Sequence, residues 1–328
     1  LCEVGATPAN CDTAIATVIV DNNIDAIDDA PVTLASGASP IVVSNVTTND
    51  EINGVLVTAA NTDVTPIVTG PLSIDSEGVL TLAPNTAAGT YTITYELCEV
   101  GAVPTNCDTA IATVIVANNI DAIDDAPVTV TTGAAPTPAG NVTTNDELNG
   151  VLVTAANTDV TPAVQGPISV DANGDLTVAP NTPSGTYPIT YELCETGAVP
   201  TNCDTATATV IVDNNIDAID DAPVTVTTGA APTPAGNVTT NDEINGVLVT
   251  AANTDVTPAV QGPISVDANG DLTVAPNTPS GTYPITYELC ETGAVPTNCD
   301  TATATVIVDN NIDAIDDAPV TVTTGAAP

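Results

Sequence analysis

The sequence predicts an all-β chain of tandem sandwich domains, and three observations predict it. Short stretches alternate apolar and polar residues with a period of two. Clusters of Asn, Gly, Pro and Asp separate them, 27 of the 328 residues are proline, and no stretch shows helical periodicity. The whole pattern recurs at an unvarying spacing of 96 residues, too long for a helical solenoid repeat and about the size of a small domain.

Leu1-Cys2-Glu3 returns at Leu97, Leu193 and Leu289. Residues 120–215 and 216–311 differ only at Leu148 against Ile244, and the more divergent 24–119 aligns with both without a gap. We therefore expect three Ig-like repeats, 24–119, 120–215 and 216–311. Residues 1–23 read as the C-terminal part of a preceding repeat and 312–328 as the N-terminal part of a following one. A chain that opens in mid-repeat is expected to be a segment of something longer.

Two strands close each repeat. Tyr187, Ile189, Tyr191 and Leu193 share one face, with Thr190, Glu192 and Cys194 on the other. After a loop, Ala206, Ala208, Val210 and Val212 point inward, and Cys203, Thr205, Thr207 and Thr209 point outward. Shorter β-rich runs fall at Val128–Thr131, Val151–Ala155, Ile168–Val170 and Leu176–Ala179. The segment Asp171-Ala172-Asn173-Gly174-Asp175 reads as a hairpin turn rather than a calcium loop, because it lacks downstream ligands. Roughly seven short strands in about 100 residues fit an immunoglobulin-like sandwich.

Composition excludes many functions. The chain has 41 Asp and Glu but no Lys, Arg or His, a formal charge of −41. No cation is present to neutralise phosphates or an anionic membrane, so no nucleic-acid partner is expected. The usual general bases are missing, and an enzyme is not expected. A hydrolase using carboxylates alone needs two acids about 5–10 Å apart in a cleft, and Asp146 and Glu147 are merely loop neighbours. No apolar run approaches the roughly 18 residues of a membrane span.

The cysteines lie nine apart in pairs: Cys2 and Cys11, Cys98 and Cys107, Cys194 and Cys203, Cys290 and Cys299. Alternation puts both members of a pair on the outward face of adjacent strands, within bridging range. A zinc site would need further ligands, and a redox pair a nearby cation to activate the thiol. Structural disulfides and an oxidising, extracytoplasmic compartment follow.

Acidic residues gather where one repeat meets the next: Asp21, Asp25, Asp28 and Asp29; then Asp121, Asp124 and Asp125; then Asp213, Asp217, Asp220 and Asp221; then Asp309, Asp313, Asp316 and Asp317. Like charges this close repel unless neutralised, and the neutralising species must come from solvent. Ca²⁺, which takes oxygen ligands from Asp, Asn and carbonyls, is the expected cofactor. A solvated acidic linker is the alternative. Ala117 replaces the first aspartate in one junction, so that carboxylate is dispensable or that junction binds more weakly.

Asp217-Ala218-Ile219-Asp220-Asp221-Ala222-Pro223, the run from Asn237 to Gly246, and the run from Gly270 to Leu289 together resemble bacterial cadherin-like tandem repeats. The cysteine-containing form is similar to repeats in giant surface proteins of Bacteroidetes, including gliding adhesins. The resemblance implies tandem immunoglobulin/cadherin-like β-sandwiches forming a cell-surface stalk or filament, with junction aspartates as calcium ligands. Ile216 stands where a cadherin linker has Asp, and the Arg-containing ligand motif is absent, so a three-calcium junction is not implied. In such proteins Asp-Thr-Ala can be O-glycosylated, which singles out Thr13, Thr109, Thr205 and Thr301; plain outward strand threonines are the alternative.

The leading reading is a secreted structural spacer of an adhesin, with further copies of the repeat as its partners, joined end to end or side by side. The alternative is a repeated ligand-binding module for glycan or ice.

Overall fold

A computed structural model of the chain describes residues 1–324, so the last four residues of the expected partial repeat 312–328 lie outside the described residues. Every regular element among the described residues is a strand. Contacts group the chain into two compact units. One is Leu1–Ala122 with Asp146–Asp159 and Leu193–Asp204; the other is Ile123–Asn145 with Val160–Glu192 and Thr205–Pro328. Residues 24–119 lie wholly in the first and 216–311 wholly in the second.

In 24–119 the strands are β1 (Ile24–Asp25), β2 (Val32–Leu34), β3 (Ile41–Asn45), β4 (Glu51–Ile52), β5 (Val55–Leu56), β6 (Thr62–Val64), β7 (Ile67–Thr69), β8 (Leu72–Ile74), β9 (Val79–Leu82), β10 (Gly89–Glu99) and β11 (Cys107–Val116). One main sheet has the order β2-β11-β10-β6 and the other β3-β9-β8-β7, while β1, β4 and β5 form a small third sheet in the order β1-β4-β5. The chain passes between sheets after β2, β3, β6 and β9, the crossing pattern of an immunoglobulin-like sandwich. β2 runs parallel to β11, while β10 and β11 form a long antiparallel hairpin in which Cys98 faces Cys107.

The period-two pattern explains the core. Leu72, Ile74, Leu80 and Leu82 of one sheet meet Ile93, Tyr95, Leu97, Ala110, Ala112, Val114 and Val116 of the other. Each large apolar side chain here contributes about 1.5–3 kcal/mol relative to exposure. Residues 216–311 repeat the two sheet orders and pack the same kind of core around Tyr287. In 120–215 the same strands recur 96 residues on, from Ile120–Asp121 to Cys203–Val212.

The strands differ from the sequence expectation in three places. Eleven are present per repeat rather than seven, because several span only two or three residues. Val151–Ala155 contains only the two-residue strand Val151–Leu152: Thr154 begins a turn, its N–H donating to Asn157 Oδ1 at 2.8 Å. Thr137–Asn141 is a strand despite Pro138 and Gly140, which sit where the register shifts at a bulge. The two-residue turn Asn53-Gly54 joins β4 to β5 with φ of 51° and 77°, the all-positive combination that Asn-Gly accommodates.

Candidate functional site

Two polar regions recur with the repeat: a carboxylate-rich base where each repeat starts, and a seam where it meets the one before.

At the base, the segment Ile24–Asp29 is fastened by carboxylates rather than by strand pairing alone. Asp108 Oδ2 accepts from Ala26 N at 3.0 Å, Asp50 Oδ1 from Ile27 N at 2.8 Å, and Asp28 Oδ1 from Ile111 N at 2.8 Å. In 216–311, Asp300, Asp242 and Asp220 do the same for Ala218, Ile219 and Thr303. Asp50 and Asp242 are fully buried and also accept from the hydroxyls of Tyr95 and Tyr287. Asp146, read from sequence as a loop acid, is fully buried too, and Glu147 opens the strand Glu147–Leu148.

Burial pushes the Asp50 and Asp242 carboxyls up; the Ile27 or Ile219 N–H and the tyrosine hydroxyl oppose this, while neighbouring aspartates add to it. Asp29 is pushed up to about 6, first by burial and then by Asp50 and Asp28; Asp221 is pushed up to about 6 by burial, Asp242 and Asp220. Asp29 Oδ2 and Asn49 Oδ1 are buried oxygens with no hydrogen-bond donor, as are Asp221 Oδ2 and Asn241 Oδ1. Asp220, Asp221 and Asn241 line a cleft of about 550 Å³. Orphaned hard oxygens beside a second carboxylate fit a Ca²⁺-type ion.

The other expected ligands do not gather. No three junction aspartates bring their oxygens together among the described residues; the groups that do converge are Glu96, Cys98 and Cys107 and their two equivalents, whose sulfurs are already bridged. Asp21, Asp25, Asp121, Asp213, Asp217 and Asp309 have exposed side chains, and Asp313, Asp316 and Asp317 stand exposed outside any strand. Asp124 Oδ1 accepts from Thr207 N, as its equivalents do in the other repeats. At the Asp213 position it is the backbone that acts: Asp213 N donates to Val130 O at 2.9 Å, and Ala117 N donates likewise to Leu34 O. The backbone contact is therefore the same whether Asp or Ala stands there.

The seams are built from amides around one glutamate. Asn118 Nδ2 donates to Glu195 Oε1 at 2.6 Å and to Thr86 O at 3.0 Å. Ala88 N also donates to Glu195 Oε1, and Asn202 Nδ2 to Oε2 at 2.8 Å. Asn118 Oδ1 accepts from Ser36 N and from Asn149 Nδ2. Val199 N donates to Ala88 O at 2.9 Å, and Gly89 sits so close that a Cβ there would come within 3.2 Å of Val199 O. The next seam repeats this with Asn214, Glu291, Ser184, Asn298 and Asn245. Glu195 and Glu291 are only 6% and 7% exposed. Sequence reasoning missed them, yet Glu195 follows Leu193 in phase with the inward face.

The outward faces of the three long hairpins each carry one disulfide, and Cys2–Cys11 bridges an isolated pair outside any strand, all with Cα atoms 4.0–4.1 Å apart. Thr13, Thr109, Thr205 and Thr301 are exposed beside them, while Thr207 and Thr209 are half-buried. No helix among the described residues is long and apolar enough to cross a membrane.

No known family profile and no curated protein matches the chain. Among solved structures it is similar to mouse cadherin-23 EC22-24, at 14% identity and a TM-score of 0.29, over 89% of this chain and 100% of that one. It is similar to Drosophila N-cadherin EC1-3, at 10% and 0.36, over 87% and 100%. It is also similar to mouse clustered PcdhgC3 EC1-3, at 15% and 0.27, over 86% and 99%. The sandwich assignment rests on the sheet order given above.

Proposed function

We propose that the chain is a structural repeat segment, a stalk or filament, of a secreted bacterial surface adhesin. Each 96-residue repeat, 24–119, 120–215 and 216–311, is one load-bearing bead. The observation that carries this is the seam: Glu195 and Glu291 make the same kind of buried contact to the repeat before at successive junctions, so the chain iterates one connection rather than elaborating one site. The disulfides support an oxidising location outside the cell. Glycosylation at Thr13, Thr109, Thr205 and Thr301 would decorate an exposed edge.

Pulling the chain by its ends tests the reading. We expect evenly spaced unfolding events, each releasing about 87 residues because the disulfide withholds the rest, a contour gain of about 300 Å less the folded span. Reductant should lengthen each step by roughly 30 Å. Irregular steps or one collective event would reject independent beads.

Ca²⁺ is proposed at the base, held by Asp29 and Asn49 and by Asp221 and Asn241, where it would supply positive charge. Without it, the folded chain holds the Asp29 and Asp221 protons more tightly than the unfolded chain, which titrates near 3.8. Stability from these groups is therefore complete below about 3.8 and lost as pH rises through about 6. In excess chelator the melting temperature should rise between pH 7 and pH 5. Calcium, or Asp29→Asn combined with Asp221→Asn, should shrink that rise. An identical rise in all three conditions would remove the ion from the base.

A further inference from the structure

We infer that each repeat is locked to its predecessor by a metal-free carboxylate latch, with Glu195 and Glu291 as the positioning residues. This goes beyond the stalk reading and places the determinant of junction order away from the aspartates.

Glu195 Oε1 takes Asn118 Nδ2 and Ala88 N from the preceding repeat, while Oε2 takes Asn202 Nδ2 from its own. Glu291 shares its oxygens among Asn214 Nδ2, Ser184 N and Asn298 Nδ2. Unlike Asp29 and Asp221, these carboxylates keep no orphaned buried oxygen to offer an ion. Charge-assisted bonds to a buried carboxylate are the strong class of hydrogen bond. Asn202 and Asn298 extend the lock by donating to Asn118 O and Asn214 O.

The arrangement recurs. Asn22 Nδ2 and Asn106 Nδ2 both donate to Glu99, and Asn53 Nδ2 donates to Asn22 Oδ1, as Asn149 and Asn245 do at the later seams. At each seam two asparagines therefore donate to one glutamate, and a third braces the first of them through its Oδ1. The latch also sets a backbone contact: once Glu195 is seated on Ala88 N, Val199 N reaches Ala88 O, and Val295 N reaches Ser184 O in the same way.

Those two amides report the latch directly. Hydrogen exchange at Val199 and Val295 is followed in the full chain with calcium and with excess chelator. Protection in the native chain should be unchanged by chelation. Glu195→Ala should lower protection at Val199 by about tenfold or more while leaving Val295 and the β10–β11 amides intact. Glu195→Gln, which keeps one acceptor for Asn118 and Ala88, should retain most of it. Loss of Val199 and Val295 protection on chelation alone would overturn the inference, since the seam would then depend on the ion. Unchanged protection at Val199 in a folded Glu195→Ala chain would overturn it as well. Should Glu195→Ala lose protection throughout, the chelation arm and Glu195→Gln decide: a Gln variant as unprotected at Val199 as one lacking the contact counts against the latch.

Discussion

Tyr287→Ala is expected to destabilise residues 216–311 by about 3–5 kcal/mol, the range for emptying an aromatic site in a core. Tyr287 is 1% exposed and is the largest side chain in a core with no Phe or Trp, so small neighbours such as Ala302 and Ala304 cannot collapse into the space. Its hydroxyl adds a second role by donating to Val238 O at 3.0 Å and to Asp242 at 2.9 Å. Tyr287→Phe keeps the packing and strands the buried carboxylate, costing about 1–3 kcal/mol and raising the Asp242 pKa further. Denaturant unfolding of the full chain separates the two: a Phe variant as damaged as the Ala variant would mean the ring's packing counts for little.

Removing the bridge between Cys290 and Cys299 should cost about 2.5–3 kcal/mol, the loop-entropy value for so short a loop. Paired Ser replacements test it. The loss should concentrate at the hairpin tip, because Glu291 follows Cys290 directly and Asn298 precedes Cys299. Both latch residues are thus held in register by one covalent link. Faster exchange at Val295 should accompany the lowered stability. A stability change below about 0.5 kcal/mol with Val295 still protected would show that the β-ladder alone holds the tip.

The long hairpin was legible because its alternation runs uninterrupted through ten paired positions, from Gly281 opposite Val308 to Cys290 opposite Cys299. Glu195 continues the inward phase of Tyr187, Ile189, Tyr191 and Leu193, and that phase carries it to the buried side. A charged residue in an apolar phase was the available signal. The short strands stayed hidden for a different reason: two residues carry no periodicity, and Ile24–Asp25 is held largely by aspartate caps that only the folded chain brings together.

The acidic junctions were legible as clusters but not as roles. Charge density alone does not separate a carboxylate that caps a backbone N–H, such as Asp28, from one with an idle buried oxygen, such as Asp29. The difference lies in the aim of neighbouring side chains, which sequence adjacency does not encode.

Because the donors and the acceptor at each seam sit at fixed offsets within the repeat, any copy is a compatible neighbour for any other. Gene duplication or unequal recombination could add or delete whole units without inventing a new contact surface. Array length is then free to drift under selection for reach, which accords with 120–215 and 216–311 differing only at Leu148 against Ile244.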